Sequence, residues 1–245
     1  MTIDLAGKRA LVTGAGTRVG AEIARALGGC GMRVAVHHHG SAQGAGETCR
    51  AVEAAGGSAT TFAADLYDES QARGLVDQVL GRFGGLDLLV SSAGNFDGAS
   101  LATASSTHWD RALGLNLRAP FALVQQAAPA LQRSHGSVVL VTCATRLSPL
   151  PGYVPYQVSK AALHQLMRVL ALELAPAVRV NSVAPGTVLP PAGMHAAALA
   201  ELVRQIPLGT TGGGVSIAQA VVYLAQASFV TGTEIVVDGG RSLAL

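Results

Sequence analysis

Short apolar runs alternate with longer stretches of helical periodicity along the whole chain. Runs rich in Val, Leu and Ala fall near 9–13, 33–37, 60–64, 86–91, 137–142, 179–183 and 233–237. They are short and lack strict alternation, which predicts parallel strands buried on both faces. Apolar positions at helical spacing fill the gaps near 19–29, 44–55, 69–83, 107–133, 155–175 and 216–226. This order predicts an α/β fold, a doubly wound seven-stranded parallel sheet in a single domain spanning 1–245. There is no internal repeat and no linker. The least regular stretch is 186–214, with Pro190-Pro191-Ala192-Gly193 and Gly212-Gly213-Gly214. A loop carrying a short helix at 196–205 is expected there.

Composition narrows the class. A chain of 245 residues is long enough for a large core. Apolar residues make up 49% and charged residues 13%, a sparse surface charge that points to buried subunit contacts. The net charge of +2, without a Lys/Arg run, argues against a nucleic-acid surface. No apolar run reaches membrane-spanning length, and Met1-Thr2-Ile3-Asp4 shows no export signal. Cys30, Cys49 and Cys143 form no CxxC pair, which fits reduced thiols in a cytoplasm.

Two local patterns carry chemistry. The first strand runs into Thr13-Gly14-Ala15-Gly16-Thr17-Arg18-Val19-Gly20, and a helical pattern follows. Strand, glycine turn and helix together make a Rossmann-type phosphate cradle: glycines admit the pyrophosphate, and the helix N-terminus offers free N–H groups. The second pattern is Tyr156 and Lys160, one helical turn apart on one face. A lysine charge there is expected to lower the tyrosine pKa and fit it for proton transfer.

Together these patterns resemble the short-chain dehydrogenase/reductase family over the whole chain. The likeness includes Ala64-Asp65-Leu66, Ser91-Ser92-Ala93-Gly94, Leu115-Asn116-Leu117, Asn181-Ser182-Val183-Ala184-Pro185-Gly186-Thr187 and Val237-Asp238-Gly239-Gly240. The resemblance implies hydride transfer between a nicotinamide and a carbonyl or imine. It implies Tyr156 as proton donor and acceptor, and Lys160 as the group that tunes it and holds the nicotinamide ribose. It implies Asn116 as anchor of a proton-relay water, and Pro185, Gly186 and Thr187 as holders of the carboxamide. The cradle residues are Gly14, Thr17, Arg18 and Val19. Asp65 and Leu66 would meet the adenine, with an N-cap as the other role open to Asp65. Ser92, Ala93 and Gly94 would line the cofactor, and 186–214 would cover the substrate.

No carboxylate follows the second strand, whose end reads His37-His38-His39-Gly40-Ser41. Arg18 stands where the family commonly has a glycine. A guanidinium there, with donors from His37, His38, His39 and Ser41, predicts NADPH rather than NADH. No metal site is expected of the histidines, because neighbouring strand residues point to opposite faces.

The family's substrate-orienting serine is replaced by Cys143, a weak donor that should polarise a carbonyl less. Thr142 should face away from it, while Thr145 could compensate. Arg18 and the His-rich strand end followed by Ser41-Ala42 resemble the pteridine reductase branch. So does Phe96, which in that branch stacks a flat pterin. That branch has an acid in place of Cys143 and an arginine in place of Gly40. The readings open at this level are an NADPH-dependent reductase of a carbonyl or pteridine-like substrate, a 3-oxoacyl-thioester or general ketone reductase, and a weakly catalytic sensor or scaffold. The expected partner is a small molecule. The resemblance also implies a homotetramer or homodimer, with helices 107–133 and 155–175 at one interface and the last helix, last strand and tail 241–245 at another.

Overall fold

A computed structural model describes residues 2–189 and 193–244 of the chain, with the side chain of Arg146 left aside. Pro190, Pro191 and Ala192 of the expected loop, and Leu245 of the tail, lie outside the described residues. Seven parallel strands form one sheet in the order β3-β2-β1-β4-β5-β6-β7: β1 Arg9–Val12, β2 Arg33–His38, β3 Ser58–Ala63, β4 Leu88–Ser91, β5 Ser137–Val141, β6 Arg179–Pro185 and β7 Glu234–Val237. The helices are α1 Arg18–Gly29, α2 Ala42–Ala54, α3 Glu69–Phe83, α4 Ser106–Leu113, α5 Ala119–Ser134, α6 Val154–Glu173, α7 Ala196–Arg204 and α8 Gly213–Gln226.

Alternate strand residues feed two cores. On one face Leu11, Leu89, Val138 and Val180 pack under α3, α5 and α6. On the other Val12, Val90, Val139 and Val183 pack under α1, α2 and α8. The expectation of strands buried on both faces holds for the central ones, of which β1, β4 and β5 are buried along most or all of their length. It fails at the edges, where β3 and β7 are largely part-exposed because each has a neighbour on one side only.

The helices end for identifiable reasons. Asp68 caps α3 by accepting from Ser70 N at 2.8 Å, and Gly84 closes it with φ of +75°. Such a cap contributes roughly 1 kcal/mol. A Cβ on Gly28 would stand 2.8 Å from Val52 Cγ1, so glycine there sets how closely α1 packs on α2. The helix expected over 107–133 is not uniform: between α4 and α5 the backbone widens into one π-helical turn, Gly114–Arg118. Such turns insert a residue into a helix and recur at functional sites.

Candidate active site

The connections after β1 and β4 leave to opposite faces of the sheet, so a crevice opens at their carboxyl ends. Thr13 bridges it, its Oγ1 accepting from Ser92 N at 3.0 Å and Ala93 N at 3.1 Å. Gly14 then turns with φ of +64°, and a Cβ there would stand 2.9 Å from Ala93 Cα. A Cβ at Gly20 would stand 2.3 Å from Gly14 O, so only glycine lets the turn fold onto α1. Thr17, the N-cap residue, makes no side-chain cap, which leaves the first N–H groups of α1 for a ligand. The cradle therefore fits a dinucleotide pyrophosphate. Arg18 adopts φ of +54°, a conformation suited to glycine, and its Nη2 donates to Leu189 O at 2.9 Å.

The histidines divide. His37 is buried, with Nδ1 accepting from Gly14 N at 3.1 Å and Nε2 lying 3.1 Å from Ala64 O. One nitrogen must accept and the other donate, so the ring is neutral with its proton on Nε2. Burial holds its pKa down to about 4. This corrects the expectation that His37 donates to a phosphate: both nitrogens are committed to holding the glycine turn. His39 lies on the crevice wall, whereas His38 and Ser41 do not line it. Ser41 instead packs its Cβ near Gly16. Asp65 accepts from Tyr67 N at 2.9 Å, and the N-cap role falls to Asp68.

Tyr156 and Lys160 sit on the buried face of α6. Lys160 Nζ donates to Val141 O at 2.9 Å. Burial lowers its pKa to about 8. Burial also raises the Tyr156 pKa above the ordinary phenol value, and the neighbouring Cys143 raises it further. The expected lowering by Lys160 is thereby corrected. Burial thus keeps the phenol protonated, whereas a pKa near 8 leaves Lys160 charged near pH 7. Asn116, fully buried on the π-helical turn, donates from Nδ2 to Ser159 Oγ and Asn95 Oδ1, both at 3.0 Å. Its Oδ1 accepts from Asn95 N at 3.1 Å, and Ser159 Oγ donates to Tyr156 O at 2.6 Å. Asn116 thus ties α6 to the segment after β4 but does not itself line the crevice. A Cβ on Gly94 would stand 2.9 Å from Asn116 Oδ1 and 3.3 Å from Lys160 Nζ.

The crevice encloses about 780 Å³. Gly14, Thr17, Arg18, Val19, Asp65 and Leu66 line one end, with Ser92, Ala93 and Gly94 between. Cys143, Tyr156, Lys160, Pro185, Gly186 and Thr187 share the same space. Thr145 Oγ1 donates to Cys143 Sγ at 3.2 Å. Thr142 turns its hydroxyl to Glu234 Oε1 at 2.7 Å. Phe96 stacks on Tyr153 at 4.4 Å between centroids and meets Tyr156 edge-on at 4.7 Å. Gln157 holds the loop before α6 by accepting from Leu150 N at 2.8 Å and donating to its carbonyl.

Thr13, buried behind the cradle, and the wall residues Tyr153 and Arg241 escaped sequence reasoning. Thr13 opens the glycine turn, so its position was the available signal. Tyr153 and Arg241 reach the wall through long-range packing that no local pattern announces. Among the described residues no cluster of His, Cys, Asp or Glu could hold a metal, and no helix is long and apolar enough to cross a membrane.

The sequence profile of a family described as enoyl-(acyl carrier protein) reductase matches residues 14–242. A 3beta-hydroxysteroid dehydrogenase 1 from Eggerthella lenta is 36% identical, the match covering 98% of this chain and 95% of that protein. A 3-oxoacyl-(acyl-carrier-protein) reductase FabG from Staphylococcus aureus is 33% identical over 95% and 97% of the two chains. The crystal structure of FolM alternative dihydrofolate reductase 1 from Brucella canis, complexed with NADP, superposes with a TM-score of 0.92 at 32% identity, over 99% and 96% of the two chains.

Proposed function

This chain belongs to the short-chain dehydrogenase/reductase family and is an oxidoreductase; we propose that it is an NADPH-dependent reductase of a carbonyl or imine. The observation that carries this reading is the placement of Tyr156 and Lys160 in one cavity with the glycine cradle, braced by Asn116. When bound, the nicotinamide cofactor supplies the hydride. Tyr156 is protonated in the resting site, and its place in the cavity makes it the general acid that donates to the substrate oxygen or nitrogen. The Lys160 ammonium offsets the phenolate left behind. Its two remaining N–H groups are free for ribose hydroxyls, with Val141 O holding the third. Cys143 stands beside the phenol, where a thiol contributes a weak contact to the carbonyl.

The NADPH preference rests on Arg18 at the wall beside the start of α1, with His39 as a further donor and no carboxylate over 37–41. Pro185, Gly186 and Thr187 would hold the carboxamide, and the segment 186–214 would cover the substrate. A pteridine-like substrate is the second reading, favoured by the exposed Phe96 ring beside Tyr156 and by the likeness to the Brucella canis protein. Assembly as a homodimer or homotetramer would cover Val169 and Leu172 on α6, Phe121 on α5 and Tyr223 on α8, all exposed apolar side chains.

Steady-state oxidation of NADPH and NADH against dihydrobiopterin, dihydrofolate, an acetoacetyl thioester and simple diketones tests the proposal. Turnover with NADPH is expected on at least one of these. A preference for NADH overturns the cofactor assignment. Tight NADPH binding with no turnover on any substrate favours the sensor or scaffold.

A further inference from the structure

The turn after β7 brings to the cavity wall a guanidinium that no carboxylate of the described residues pairs. Asp238, three residues before Arg241, has its carboxylate occupied by the turn's own backbone. Its Oδ1 accepts from Gly240 N and its Oδ2 from Ser242 N, each at 2.8 Å. The turn is seated firmly, since a Cβ on Gly186 would stand 2.4 Å from Asp238 Cβ. Arg241 Nη1 donates to Thr187 Oγ1, and Nη2 donates to Gln205 Oε1 at 3.0 Å. Its Nε is buried and has no partner among the described residues. Among the described residues no carboxylate forms an ion pair with it.

A buried or half-buried cation is normally paired. Here neutral oxygens orient the fork, and among the described residues its charge is uncompensated. Each Nη keeps a second N–H, the arrangement that takes a carboxylate end-on with one oxygen to each nitrogen. Arg241 lines the same cavity as Tyr156 and Cys143. The cavity's other cations already have roles in the reductase reading, Arg18 toward a phosphate and Lys160 toward Tyr156 and the ribose.

We propose that Arg241 reads an anionic group of the substrate, so that the preferred substrates are oxo compounds bearing a carboxylate away from the reacting carbonyl. This inference rests on the reductase reading and narrows its substrate class. The test compares levulinate and acetoacetate with their methyl esters, using NADPH and the wild type, Arg241→Met and Arg241→Lys. A charge-assisted contact of this kind predicts that the wild type favours at least one acid over its ester by about tenfold or more in kcat/KM. Arg241→Met should remove that preference through the KM of the acid, and Arg241→Lys should restore part of it. Because the readout is an acid-to-ester ratio, general damage to the fold cancels. Esters reduced as well as acids by the wild type, or an unchanged ratio in Arg241→Met, overturn the proposal and leave the reductase reading standing. If none of these compounds is reduced, calorimetric titration of the acids into NADPH-loaded protein decides. Binding that Arg241→Met abolishes upholds the anion site and sinks the reductase reading for this class, whereas no binding overturns the anion site.

Discussion

The two ends of the cavity are built by opposite means. The cradle end is made of backbone, held by close contacts that exclude even a methyl group at Gly14 and Gly20. Neutral, buried partners brace it: Thr13 Oγ1 across the strands and the His37 ring beneath the turn. The end beside Tyr156 is made of side chains that converge from the segment after β4, the loop after β5, the segment after β6 and the turn after β7. One end presents a fixed surface to a constant ligand. The other presents Cys143, Phe96, Tyr153 and Arg241, which can change without disturbing the sheet.

Experiments that break this contrast follow in order of expected size. Tyr156→Phe should lower turnover roughly 10²–10⁴-fold while cofactor affinity stays near that of the wild type. Steady-state rates with fluorescence titration of NADPH check both halves, and retention of more than about a tenth of the activity would remove Tyr156 from its role. Gly94→Ala should cost about 10²-fold in kcat, because its methyl group would displace Asn116 or Lys160 from positions the chemistry needs. A crystal structure of that variant with both side chains unmoved would sink the explanation.

The His37 clamp predicts a pH effect on stability. Its folded pKa of about 4 lies below the ordinary 6.5, so the unfolded chain binds the proton more readily. Stability is therefore full above about pH 6.5 and falls as pH drops toward 4, by on the order of 3 kcal/mol. Thermal melts of the wild type and His37→Asn across this window check it. The variant keeps an acceptor for Gly14 N but cannot titrate, so its curve should be flatter.

Arg18→Gly should separate fold from binding. Relief of a positive φ should raise the melting temperature, by an amount worth about 1 kcal/mol. Loss of the guanidinium should weaken NADPH roughly tenfold more than NADH. Equal losses for both cofactors would end its assignment to the 2′-phosphate. The smallest effect expected is from Cys143→Ser, a gain of severalfold in kcat on ketones from a stronger donor beside Tyr156. If the substrate is a pteridine, Cys143→Asp should give the gain instead.

How far each end could be read from the sequence follows the same division. The strand order, the glycine turn and the pairing of Tyr156 with Lys160 depend on periodicity and short spacing, and those are local properties. Asn116 was legible as a residue, but its π-helical turn was not, since nothing in Gly114-Leu115-Asn116-Leu117-Arg118 departs from a helical pattern. The role of His37 depends on Ala64, twenty-seven residues away, and on a tautomer that only the fold imposes. The direction of the Tyr156 shift was misjudged because a neighbouring charge is visible in sequence, whereas burial is not. Arg241 stood only as the start of the tail 241–245, and its contacts with Thr187 and Gln205 appear only once β6, α7 and β7 are brought together.

The π-helical turn has a consequence for any attempt to redesign this region. An inserted residue acts as a rotational offset of about 100° between the helical stretches on either side. It lets α5 keep its apolar stripe against the core, and Ala112 of α4 stay buried, while a polar side chain, Asn116, is aimed inward between them. Excising one residue from 114–118 would regularise the backbone and improve local hydrogen bonding. It would also swing everything upstream out of phase with everything downstream, so the straighter helix would be the one that no longer fits.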